Sequence, residues 1–174
     1  GLSGLGGLGA GTVAPLATMM GLFKSNKDIN SAGVSTKASS NHSQVNEDSS
    51  FVLGRFAGVF DGVGGISGSE RASTKAREQA IKNINAYMKK FGEGYINNLT
   101  PDQAEKIIGV ILAGINKTLV NNKLGASTAS LTYTGKDFVV TANIGDSRVY
   151  ALLVNKQTGK KFLRRLTRDH NPLL

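Results

Sequence analysis

Asp61 ends the apolar run Gly58-Val59-Phe60 and opens the glycine turn Gly62-Val63-Gly64-Gly65. A carboxylate released at a strand end, beside backbone that a ligand can approach closely, suits a hard metal ion. A second acidic knot, Asn46-Glu47-Asp48, stands just before another strand-like run, Ser50 to Leu53. Together they suggest a metal site at the ends of neighbouring strands. Taken alone, an Asp before a Gly more often caps a turn than binds a metal, and Glu47 and Asp48 also admit a reading as a solvated acidic loop. Asp146 and Arg148 have the same ambiguity, as a turn-stabilising ion pair or as support for a metal.

Composition removes other chemistries. The chain of 174 residues has no Cys, so disulfides, thiolate zinc sites and a Cys nucleophile are excluded. Two His cannot build a His-rich centre, and His42 and His170 have no partner at ligand spacing. A formal charge of +9 could attract nucleic acid, an anionic membrane surface or an acidic protein. The cations are spread over several elements, and with seven Phe, four Tyr and no Trp there is no basic stripe interleaved with stacking aromatics. A nucleic-acid partner is therefore not expected. Only Lys160 to Arg168 is locally dense. It reads as a solvated hairpin face, with docking of an acidic protein or phospholipid as the sharper alternative.

The elements that must position these residues begin at about Ala32. Residues 1–31 read as a Gly-rich and apolar N-terminal tail, and residues 32–174 as one domain. In the tail, Gly4-Leu5-Gly6-Gly7-Leu8-Gly9 has neither a preceding strand nor a following acid, so it is not a dinucleotide fingerprint. Val13 to Phe23 is too short to span a bilayer and no transmembrane segment is expected. That stretch reads as a tail docking on a partner or as the remnant of a processed targeting region. The compartment stays open between an organelle (mitochondrion or plastid) and the cytoplasm.

Strands are expected at about Gly33–Thr36, Ser50–Leu53 and Phe56–Phe60. The spacing of Ala76, Ala80, Ile81, Ile84, Met88 and Phe91 predicts a helix from Ser69 to about Phe91. Thr100-Pro101-Asp102-Gln103 is a capping box with Pro at the first helical position. It opens a second helix with the buried stripe Ala104, Ile107, Ile108, Ile111, Leu112, Ile115 and Leu119. After Gly125 come β-rich runs, Ser127–Thr134, Phe138–Asn143, Ser147–Val154 and Lys161–Leu166, separated by turn signals. Strands, two long helices and more strands make an α+β layered domain.

In order along the chain, Asn46-Glu47-Asp48, Asp61-Gly62-Val63-Gly64-Gly65, Gly125-Ala126-Ser127-Thr128-Ala129, Ala142-Asn143-Ile144-Gly145-Asp146-Ser147-Arg148 and Leu166-Thr167-Arg168-Asp169-His170-Asn171-Pro172 match one family. The chain resembles the metal-dependent protein phosphatases of type 2C over roughly Ala32 to Leu174, the N-terminal two-thirds of the family's domain. The resemblance implies an α-β-β-α sandwich of two antiparallel sheets with helix pairs outside, and two Mg or Mn ions in a cleft at one end of the sheets. It makes Asp61 the bridging ligand, the Gly62 carbonyl a further ligand, and Glu47 and Asp48 the source of another carboxylate. Asp146 would support the site through water or a weak additional ion. Ions so held lower the pKa of bound water for in-line attack on a phosphoserine or phosphothreonine, with no protein nucleophile. Hard oxygen ligands favour Mg or Mn over zinc, in keeping with the lack of Cys and scarcity of His.

The chain departs from the family pattern in three places. Two further aspartates of the family belong to its C-terminal third, past the position of Leu174. Ser43 stands where many members carry a phosphate-gripping arginine, and Val63 where many carry His, a change also found in active members. The implied substrate is a phosphoprotein. The alternative expectation is a catalytically inactive, phosphatase-like scaffold or accessory subunit of a larger complex.

Overall fold

The computed structural model describes residues 12–15, 46–63 and 68–170. Their element order is β1 (Thr12–Pro15), β2 (Asp48–Leu53), β3 (Phe56–Asp61), α1 (Ser69–Phe91), α2 (Glu93–Ile96), α3 (Pro101–Asn121), β4 (Ala129–Thr134), β5 (Phe138–Ile144), β6 (Tyr150–Val154) and β7 (Lys161–Arg165). The fold is α+β with two antiparallel sheets. One has five strands in the order β1-β5-β4-β3-β2, and the other is the hairpin β6-β7. The strand expected at Gly33–Thr36 and Ser43 both lie outside the described residues.

Alternation along the strands gives the large sheet two different faces. Phe51, Phe56, Phe60, Leu131, Tyr133, Val140 and Ala142 are buried on one face, where register places Phe56 opposite Tyr133 and Leu131 opposite Ala142. Helices α1 and α3 cover that face, α1 over β2 and β3 and α3 over β4 and β5. Gly58 is required there, since a Cβ would collide with the ring of Phe51 and with Leu131. The opposite face carries Asp48, Asp61, Ser130, Thr141 and Asn143, because each stands one residue out of step with the apolar set. The chemistry-bearing side chains therefore emerge on the face away from the helices.

Both long helices form where amphipathic spacing requires them. Helix α3 buries all seven residues of its expected stripe. At its start the Gln103 N–H donates to Thr100 Oγ1 at 3.2 Å and the Thr100 N–H to Gln103 Oε1 at 2.9 Å, with Pro101 in the first turn. In α1, Ala72, Ala76, Ala80 and Ile84 are buried, but Phe91, the last residue of the helix, is 44% exposed. Phe91 stacks instead between Tyr87 and Tyr95 on the surface. The short α2 has a core function: the Tyr133 hydroxyl donates to the Ile96 carbonyl at 2.7 Å and accepts from the Leu99 N–H at 3.3 Å.

Four residues of the stretch read as tail form β1, which pairs antiparallel with β5 from Thr12↔Thr141 to Pro15↔Phe138. Pro15 lacks an N–H, a loss tolerated on an edge strand. Among the described residues no helix is long and apolar enough to cross a membrane.

Candidate metal centre

The hairpin register of β2 and β3 sets Asp48 directly opposite Asp61. The loop before β2 is shaped by Asn46, whose Oδ1 accepts from the Asp48 N–H at 3.0 Å. Glu47 anchors the next turn through its carbonyl, which accepts from the Gly62 N–H at 3.1 Å. The two acidic segments anticipated from sequence are thus joined by pairing and by backbone, which brings Glu47, Asp48, Asp61 and Gly62 to one corner of the sheet.

Across β3 from that corner lies the start of β4. The Asp61 N–H donates to Thr128 Oγ1 at 3.1 Å, and the Thr128 N–H donates back to the Asp61 carbonyl at 2.8 Å. An isolated bridge pairs Gly62 with Ser127, and the Val63 N–H donates to the Ala126 carbonyl at 2.9 Å. The Gly125–Ala129 segment therefore packs backbone against the glycine turn. The Thr128 hydroxyl also shares a 2.6 Å hydrogen bond with Ser147, which ties on the Gly145-Asp146 turn. Gly145 has φ +96°, and a Cβ there would come within 2.8 Å of Thr128 Cγ2, so both backbone conformation and close approach call for glycine.

Electrostatics reports the same convergence. The Asp61 carboxyl is pushed up to about 6, first by partial desolvation, then by a hydrogen bond with the Asp48 carboxyl and by the charges of Asp48, Asp146 and Glu47. Its side chain remains open to solvent on one side. Three acids converging on a fourth, the nearest of them hydrogen-bonded to it, raise its carboxyl as expected of a carboxylate cluster.

The donors fit a hard divalent cation: all are oxygen, and the cluster holds a charge excess that such an ion would neutralise. Asp48 and Asp61 meet as a pair. Among the described residues, however, no group of three acids or histidines is gathered closely enough to hold a metal ion, so Glu47 and Asp146 act at longer range.

Arg148 corrects one sequence alternative. It pairs with Asp169 and not with Asp146: Nε lies 3.0 and 3.1 Å from the two carboxylate oxygens, and Nη2 lies 2.6 Å from Oδ2. Arg165 adds a contact at 3.2 Å from the other side. The Arg148 guanidinium holds the Asp169 carboxyl below its ordinary range, and the pair in turn raises Arg148. His170 is exposed, and its backbone N–H donates to the Gly145 carbonyl at 2.8 Å. Sequence reasoning gave no role to Thr128, Asn143 or Ser147. An Asn at a strand end before a Gly-Asp turn was the available signal for Asn143.

No curated protein matches the chain significantly. The family model described as protein phosphatase 2C matches residues 24–174. A match of that extent, over a sheet and helix pair that set the two acidic segments side by side, places this chain in the protein phosphatase 2C family as a phosphatase-like domain.

Proposed function

We propose that the chain contributes a metal-dependent protein serine/threonine phosphatase centre, with phosphoserine or phosphothreonine on a protein as substrate. The observation that carries this reading is the cross-strand pair Asp48–Asp61, two carboxylates held face to face at the open end of a sheet. Like charges directly opposite across strands destabilise a fold, so a counter-cation is the natural reason to keep them. Mg or Mn bound there supplies Lewis acidity that activates water and neutralises the phosphoryl group.

In this reading Asp61 and Asp48 are the central ligands, and the Gly62 carbonyl and Glu47 complete the same corner. Asp61 is held at both backbone atoms by Thr128, which fixes the strand end from which its carboxylate emerges. Asp146 adds negative potential from across the sheet. In this reading the nucleophile is water and not a protein side chain, in keeping with a chain that has no Cys.

A second reading, a non-catalytic phosphatase-like accessory subunit, is favoured by one observation: the described residues gather a pair of carboxylates and not a closer set of three. The two readings part on phosphothreonine-peptide hydrolysis by the protein with Mn, followed by phosphate release. The phosphatase reading expects turnover that saturates with Mn and stops on chelation; no turnover at any Mn concentration favours the accessory subunit, and turnover indifferent to Mn and chelator contradicts both.

A further inference from the structure

We propose that Asn143 is a positioning residue for the acidic corner, its carboxamide fixing the Gly145-Asp146 turn so that Asp146 faces the Asp48–Asp61 pair. The inference rests on the metal-centre reading given above and adds to it a residue that touches no candidate ligand directly.

Asn143 is the penultimate residue of β5 and stands opposite Ser130 of β4, on the same face as Asp61. Its Oδ1 accepts from Ser130 Oγ at 2.5 Å, and Ser130 is itself only 4% exposed. Its Nδ2 donates to the Gly145 carbonyl at 3.0 Å and to the Arg168 carbonyl at 3.1 Å. One planar group thus joins three segments: the strand next to Asp61, the turn that carries Asp146, and the segment after β7. The Gly145 carbonyl also takes the His170 N–H, so the outer strap is closed on the same atom.

From the other side, Ser147 is bonded to Thr128, and Thr128 is bonded to both backbone atoms of Asp61. Asp146 therefore sits between two latches, Asn143 before it and Ser147 after it. A turn of positive-φ glycine followed by an exposed acid has no intrinsic preference for one orientation, because glycine permits many. The carboxamide supplies the constraint: an apolar residue of similar size would fill the space while releasing two carbonyls and a hydroxyl. Outer-shell groups that orient acidic ligands commonly change metal affinity by about tenfold or more.

The test compares Asn143→Ala, Asp146→Ala and Asp61→Asn with the unchanged protein by Mn titration followed by electron paramagnetic resonance. Amide hydrogen exchange is measured on the same metal-free samples. Asn143→Ala is expected to weaken Mn binding about tenfold, as Asp146→Ala does, and to speed exchange at Gly145 to Ser147 while α3 and β4 keep their protection. Ser130→Ala, which leaves both amide donors in place, is expected to retain most of the affinity; this split separates positioning from general loss of packing.

Unchanged affinity in Asn143→Ala, with Asp146→Ala weakened, overturns the proposal. So does exchange that rises uniformly across the sheet. If Asp61→Asn binds Mn as the unchanged protein does, the metal-centre reading fails; local exchange at the turn then still decides whether Asn143 fixes it, and unchanged exchange there removes that role as well.

Discussion

Asp61→Asn is expected to lower Mn-dependent phosphopeptide hydrolysis by on the order of a thousandfold, equivalent to about 4 kcal/mol of lost transition-state stabilisation. The same substitution should make the metal-free protein more stable at pH 7. In the fold the Asp61 carboxyl titrates at about 6 against an ordinary value of 3.8. A carboxyl raised by folding gives stability that is fully present below about 3.8 and lost as pH rises through about 6. At pH 7 the ionised group therefore opposes folding.

A shift of that size corresponds to at most about 3 kcal/mol, and solvent access to the side chain reduces the realised effect to on the order of 1 kcal/mol. Urea unfolding at pH 7 in chelator should show the gain, which should vanish near pH 4, where the native carboxyl is already neutral. A metal-free Asp61→Asn protein less stable than its parent at pH 7 would mean that Asp61 serves the fold and not a cation.

Phe60→Ala carries the largest expected cost to stability, about 3–5 kcal/mol. Phe60 is fully buried and its ring lies nearly parallel to that of Phe51, with centroids 6.1 Å apart. Deleting it opens a void beneath α1 in a densely packed layer, and domains of this size have only about 5–15 kcal/mol to lose. Because Phe60 immediately precedes Asp61, the damage should reach the site: Mn affinity and unfolding midpoint should fall together. Phe60→Leu, which keeps most of the volume, should recover both in parallel. Stability restored without recovery of Mn affinity would show that the core and the acidic corner are not coupled through β3.

Local pattern carried most of this fold. The α3 stripe, its capping box and the limits of α1 were legible because period-3.6 burial and cap chemistry are encoded within a few residues. Strands β2 to β5 were legible as alternating runs flanked by turns, and the acidic corner followed from the motifs at their ends. Strand β1 was not, since Thr12–Pro15 sits in a low-complexity stretch and gains its structure only by pairing with a strand more than a hundred residues later. The partner of Arg148 was equally hidden. Asp146, two residues away, looked the nearer acid, yet a turn aims neighbouring side chains apart while the β6-β7 hairpin returns Asp169 to the guanidinium. Asn143 was quoted within a motif, but its three-way bonding depends on Ser130, Gly145 and Arg168 meeting in space.

The claim on which the functional reading turns is that the Asp48–Asp61 pair receives a hard divalent ion. Carboxyl carbon NMR of Asp61, followed through a pH titration with and without saturating Mg, tests it directly. Without metal the midpoint should lie near 6; with Mg it should fall below the ordinary carboxylate value of 3.8, because a bound cation favours the ionised carboxylate. A midpoint that stays near 6 in the presence of Mg would contradict the account.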